Sequence, residues 1–150
     1  MAQSISIFDN IKDQFALKDK DPNQYSPLSL AFIGDSVFDL VVKTVVVELA
    51  NCPARILHKK TTEVVKAESQ AKIVDEIYSS LSEEEQNIYR RGRNAKPYTK
   101  AKNVNFATYC KATGLEALIG YLYLKGRTER LVSIVKEGIV LLDCEWMKKT

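Results

Sequence analysis

The chain has 150 residues, 45% of them hydrophobic and 27% charged, with a formal net charge of +3 and a pI near 8.7. That length supports one cooperative core and excludes two ordinary domains, so residues 1–150 read as a single domain, and the mild positive charge permits an anionic partner without requiring one. Three scattered cysteines, Cys52, Cys110 and Cys144, form no C-x-x-C pair, and the start MAQSISIFDN lacks the basic and apolar regions of a secretion signal; both features point to a reducing cytoplasm and argue against disulfides or a zinc cluster.

Residues 1–25 read as an N-terminal extension, with a short helix candidate from Ile5 to Leu17 and a polar loop from Lys18 to Tyr25. Ser26 and Pro27 then supply an N-cap and a first-turn proline for a long helix over Leu28–Leu49, apolar nearly all round and therefore expected to be buried. It is not expected to span a membrane, because Asp35, Asp39 and Lys43 would each cost about 2.5 to 3.5 kcal/mol at the bilayer centre. Asp35 sits in the middle of this apolar run, where a carboxylate has to be paired, protonated or given a metal. A basic partner at a helix-packing edge and a functional site both remain open for it. Gly34 beside it costs a helix roughly 1 kcal/mol relative to alanine, a cost usually offset by close approach of another backbone or a ligand.

After the break at Asn51–Pro53, a helix over Ala54–Lys66 carries an apolar face and a basic one with Arg55, His58, Lys59 and Lys60; taken alone, that basic face reads first as a solvated surface. His58 is the one histidine, which makes a Ser-His-Asp triad a poor reading. Ala67–Leu81 fits another helix through Ala71, Ile73, Val74, Ile77 and Tyr78. Ser82 with Glu85 forms a capping box that starts a helix ending near Gly92.

From Gln86 to Leu115 there is no acidic residue, while Arg90, Arg91, Arg93, Lys96, Lys100, Lys102 and Lys111 supply seven positive charges. Pro97 with Asn94, Tyr98, Thr99 and Asn103 makes the middle of this segment a loop suited to phosphate oxygens. Asn103–Lys125 reads as a second long apolar helix, with Glu116 in its middle, open to pairing with Lys111 or to sharing a site with Asp35; two such acids suit a hard cation such as Mg²⁺. A last helix covers Glu129–Leu142, and residues 143–150, with Lys148 and Lys149, are expected to fray. The expected fold class is all-α.

Several of these stretches resemble the ribonuclease III family. LAFIGDSVF at 30–38 resembles its signature helix, whose Leu-Gly-Asp step carries a metal-binding aspartate, and GLEALIGYLYL at 114–124 resembles its second motif, which carries a metal-binding glutamate. LHKKTTEVVKAESQAKI and RRGRNAK are similar to the small bacterial branch, Mini-ribonuclease III, which lacks the double-stranded-RNA-binding domain. The resemblance covers about residues 26–137. It implies a ribonuclease III endonuclease-like helical domain, with Asp35 and Glu116 as catalytic residues and ligands of Mg²⁺, for which Mn²⁺ can substitute. It further implies a homodimer that cuts double-stranded RNA by metal-activated water, leaving 5′-phosphate and 3′-hydroxyl ends, in maturation of the large-subunit (23S) ribosomal RNA precursor. His58, Lys59, Lys60, Arg90, Arg91, Arg93, Asn94, Lys96, Lys100 and Lys102 then become the expected RNA-binding residues. Larger relatives carry acids where this chain has Ala31 and Thr113, a thinned set shared by the small branch, and Asn105 stands where an aspartate is expected. A non-catalytic relative that binds structured RNA is the alternative. A helix-turn-helix DNA-binding module fits less well, since the basic residues lie mainly in a loop and at helix ends.

Overall fold

A computed structural model describes residues 6–95 and 105–149. Among the described residues there are seven α-helices and no strand: α1 (Ile7–Gln14), α2 (Pro27–Leu49), α3 (Ala54–Val65), α4 (Ala67–Ile77), α5 (Glu83–Asn94), α6 (Phe106–Leu124) and α7 (Thr128–Leu142). Each boundary has a local cause. Ser26 Oγ accepts from the Ser29 amide at 3.1 Å with Pro27 in the first turn of α2, and the expected capping box is closed at α5, where Ser82 and Glu85 exchange backbone and side-chain bonds. Helices α3 and α4 are separated by Lys66, whose extended backbone (ψ 154°) ends one helix and begins the next.

The core is organised around α6. Leu115 and the run Ala117 to Leu122 are all buried, and α2, α4, α5 and α7 pack around that helix. Helix α2 makes its most extensive contacts with α6, through a stripe of Leu30, Ala31, Gly34, Val37, Phe38, Val42 and Val46 at helical spacing. The expectation that α2 is buried all round is corrected. Leu28, Phe32, Leu40 and Val47 lie on its other side and are exposed, Phe32 by 82%. Asp39 and Lys43, one turn apart on α2, pair at 2.7 Å. No helix among the described residues is long and apolar enough to cross a membrane.

The remaining expectations shift by a few residues. The first helix ends at Gln14, where Ala16 turns to a positive φ of 51°. The fourth gives way at Tyr78–Ser80 to a single 3₁₀ turn. Residues 143–149 are not frayed: they form a 3₁₀ segment at Glu145–Lys149 that buries Cys144 and Trp146, and Lys148 bridges Asp143 at 3.2 Å and Glu145 at 3.3 Å. Burial of the large Trp146 ring favours the docking, against the cost of an indole N–H that finds no partner there among the described residues.

Candidate active site

Two glycines set the site. A β-carbon built on Gly34 of α2 would come within 1.7 Å of the Glu116 carbonyl oxygen of α6, and one built on Gly120 within 2.0 Å of the Leu30 carbonyl oxygen. The two helices therefore cross backbone against backbone, at a separation that any larger residue would prevent. This is the close approach anticipated for Gly34, and it brings the neighbouring Asp35 within hydrogen-bonding reach of the Glu116 side chain, although the two are far apart in sequence.

Only one of the two acids is enclosed, although each lies in the middle of an apolar run. Asp35 is exposed, while Glu116, between Leu115 and Ala117, is the more enclosed. Burial pushes the Glu116 carboxyl up to about 8, the hydrogen bond and negative charge of Asp35 add to that, and the Gln70 side chain partly offsets it. Neither acid belongs to an ion pair among the described residues. Lys111, the partner considered for Glu116, binds Asp75 at 2.9 Å instead. Two adjoining carboxyl groups without a counter-cation suit a hard divalent ion that takes oxygen ligands and retains waters. The described residues contain no group of three or more His, Cys, Asp or Glu side chains able to hold a metal.

Gln70 is the residue that sequence reasoning missed. It is 3% exposed, its Nε2 donates to the Val65 carbonyl at 2.8 Å, and its amide reaches Glu116. The signal was present: position 70 falls on the apolar stripe with Ile73, Val74 and Ile77, where a polar side chain is out of place.

The basic residues fall into two groups. On α3, His58 and Lys59 are exposed and Lys60 is half-buried. His58 lies about 10 Å along the helix from Val65, whose carbonyl holds Gln70. On α5, Gly92 packs against Gly114 and the Ala117 β-carbon of α6, so Arg91 and Arg93 flank the stretch that carries Glu116. Arg93 lies over the Tyr89 ring at 5.6 Å and donates to Asn94 at 3.3 Å, while Arg90 donates to the Tyr78 hydroxyl at 2.9 Å. Lys96, Lys100 and Lys102 lie outside the described residues.

At the positions where larger relatives carry acids, Ala31 is buried against α6 and the Thr113 hydroxyl donates to the Tyr109 carbonyl at 3.1 Å, so neither is set to bind an ion. Asn105 is the N-cap of α6, its Oδ1 accepting from the Ala107 amide at 2.9 Å, a role that aspartate fills equally well.

Comparison with known proteins locates the fold. The family model described as Ribonuclease III domain matches residues 28–127. A protein of Thermoanaerobacter sp. (strain X514) named Mini-ribonuclease 3 is 50% identical over 118 residues, covering 79% of this chain and 83% of that one. Its namesake in Clostridium tetani is 43% identical, covering 83% of each. A crystal structure of a Fusobacterium nucleatum protein superposes with a TM-score of 0.71 at 32% identity, covering 81% of this chain and 96% of that one.

Proposed function

The chain belongs to the ribonuclease III family, in its Mini-ribonuclease 3 branch of endoribonucleases, and from that membership we propose that it hydrolyses double-stranded RNA with a divalent cation, Mg²⁺ or Mn²⁺ in its place, held by Asp35 and Glu116. The observation that carries this reading is the meeting of those two carboxyl groups beside the exposed face of the α2–α6 crossing. When bound, the cation supplies a water of lowered pKa as nucleophile and positive charge against the transition state and the leaving 3′ oxygen. Asp35 and Glu116 bind and orient it, and the Gly34 and Gly120 contacts fix the spacing of the two helices that carry them. Substrate phosphate and water complete the shell, as is usual for Mg²⁺ on one or two carboxylates. The products carry 5′-phosphate and 3′-hydroxyl ends.

Double-stranded RNA presents phosphates and 2′-hydroxyls more readily than base edges, so recognition depends on shape and charge. His58, Lys59 and Lys60 on one side and Arg90, Arg91, Arg93 and Asn94 on the other supply that charge, with Lys96, Lys100 and Lys102 assigned to the same surface from the sequence. Two strands are cut by a homodimer, for which the exposed apolar row Leu28, Phe32 and Leu40 on α2 offers a contact face. Residues 1–150 act as a single catalytic domain in the cytoplasm, and the natural substrate is the precursor of 23S ribosomal RNA.

Incubation of the purified protein with a long RNA duplex in Mg²⁺, and again in excess EDTA, tests the reading. Cleavage in the first and none in the second is the expected result. Duplex binding without cleavage in Mg²⁺ would assign the protein to the non-catalytic, RNA-binding members instead.

A further inference from the structure

Helix α5 meets arginines in two different ways. In its first turn Glu84 and Glu85 take the guanidinium groups of Arg127 and Arg130 as ion pairs. Near its other end Arg90, Arg91 and Arg93 pair with no carboxylate among the described residues. Two of them rest on tyrosines instead. Arg90 Nη1 donates to the Tyr78 hydroxyl at 2.9 Å, and the Arg93 guanidinium lies 5.6 Å from the centre of the Tyr89 ring. The two tyrosine rings meet edge to face with centres 5.6 Å apart, so the side chains run in the order Arg90, Tyr78, Tyr89, Arg93.

The aromatic pair is seated on the rest of the protein. Tyr89 is buried, and a β-carbon built on Gly114 would come within 2.7 Å of its ring, so the ring lies against the α6 backbone two residues before Glu116. Tyr78 is half-buried just after α4, and its carbonyl accepts from Gln86 Nε2 of α5 at 2.9 Å. Asp75, one turn before Tyr78, is engaged by Lys111 at 2.9 Å and pairs with no arginine among the described residues. A carboxylate would hold Arg90 more tightly than a phenol does, and would cancel its charge. A neutral hydroxyl occupies one of the five guanidinium donors and leaves the charge and the remaining donors available. An arginine that only stapled α5 to the end of α4 would gain from the carboxylate, whereas one kept for an anion needs the hydroxyl.

Arg90 and Arg93 stand three residues apart, neighbours on one side of α5. On the reading that this surface binds double-stranded RNA, on which this inference rests, we propose that Tyr78 is a positioning residue for that substrate. Its hydroxyl, backed by the Tyr89 ring, presets the Arg90 guanidinium so that Arg90 and Arg93 together meet the phosphates of one RNA strand. A side chain held in place beforehand loses less rotamer freedom on binding, and affinity rises by that saving.

The test is fluorescence anisotropy of a labelled RNA duplex titrated with the full-length protein over a range of salt, in EDTA so that metal-dependent cleavage is stopped. The proteins compared are wild type, Tyr78→Phe, Arg90→Ala, Arg90→Lys and the double variant of Tyr78→Phe with Arg90→Ala, each also melted thermally. Tyr78→Phe keeps the ring and is expected to bind about threefold to tenfold more weakly, with an unchanged slope of log affinity against log salt because no cation is lost. Arg90→Ala is expected to lower that slope by about one, and adding Tyr78→Phe to it should cost no further affinity. Arg90→Lys keeps the charge without the planar fork that grips Tyr78 and a phosphate together, and should also bind more weakly. Wild-type affinity in Tyr78→Phe, or the same loss from it whether or not Arg90 is present, makes the hydroxyl a structural contact and overturns the proposal. If Tyr78→Phe does not fold, wild-type affinity in Arg90→Lys or Arg90→Ala overturns it alone. A wild-type protein with no affinity for the duplex, in EDTA or with Mn²⁺ restored, defeats the RNA-binding reading itself and this inference with it.

Discussion

Gly34 on α2 and Glu116 on α6 touch through their backbones, with space of 1.7 Å between the Glu116 carbonyl oxygen and the place a β-carbon at 34 would occupy. Packing and chemistry thus depend on the same crossing. Gly34→Ala gains up to about 1 kcal/mol of helix propensity but must separate the two helices, a net destabilisation of about 3 kcal/mol or more. Urea unfolding reads this directly, and cleavage should fall further than the lost folded fraction accounts for, because Asp35 and Glu116 are moved apart together.

Burial, and then Asp35, raise Glu116 from 4.5 to about 8. Between those values the folded protein retains a proton at Glu116 that the unfolded chain releases, so the contribution of this group to stability in EDTA is fully present below about 4.5 and is lost as pH rises towards 8. Wild type should show a declining melting temperature across that window, and Glu116→Gln, which cannot ionise, a flatter one. A divalent cation favours the ionised form, so Mn²⁺ binding at pH 7 should release a proton, seen as a dependence of the calorimetric heat on buffer ionisation enthalpy.

Glu85 accepts two bonds from Arg130, at 2.8 and 2.9 Å, and these bonds above all hold its carboxyl below the usual 4.5. Its stabilising contribution is present above pH 4.5 and is lost as pH falls through the lower folded value. Glu85→Gln should cost about 2 kcal/mol at pH 7, as charge-assisted bonds of this kind do, and the gap to wild type in urea titrations should close at acid pH. Duplex cleavage by the folded variant should be unchanged, since Glu85 and Arg130 lie on α5 and α7 away from the carboxyl pair.

Lys59 is exposed and joins no ion pair among the described residues. Lys59→Ala should leave the melting temperature unchanged, weaken binding to RNA duplexes of any sequence, and lower the slope of log affinity against log salt by about one. An unaltered slope removes Lys59 from the RNA-binding surface. Arg90→Ala should behave differently, with some loss of stability as well, because Arg90 also holds the Tyr78 hydroxyl.

The helices were legible because their causes are local: Ser26–Pro27, the Ser82–Glu85 box and the apolar periods of α4 and α7 each act within a few residues. Gly34 announced a close contact, but only the fold could say that the contact is Glu116. Composition does not tell an apolar surface meant for the core from one left exposed, as Phe32 is, so α2 reads as buried all round where only one stripe of it is. Asp35 drew attention by lying in an oily sequence, yet it occupies the rim of the α2 stripe, and the enclosed acid is Glu116. Gln70 went unnoticed because its neighbours on the stripe made the segment look like an ordinary core helix.

The most direct test of the two-carboxylate site is a double-mutant cycle on Mg²⁺-dependent cleavage of duplex RNA, with Asp35→Asn, Glu116→Gln and the pair. Changes in groups that merely support a metal cost up to about a hundredfold, so each single variant should lose more than that while keeping its fold, and the double variant should be no worse than either, because one ion is lost in all three. Full cleavage by either single variant, or losses that multiply in the double, would contradict a shared cation between Asp35 and Glu116.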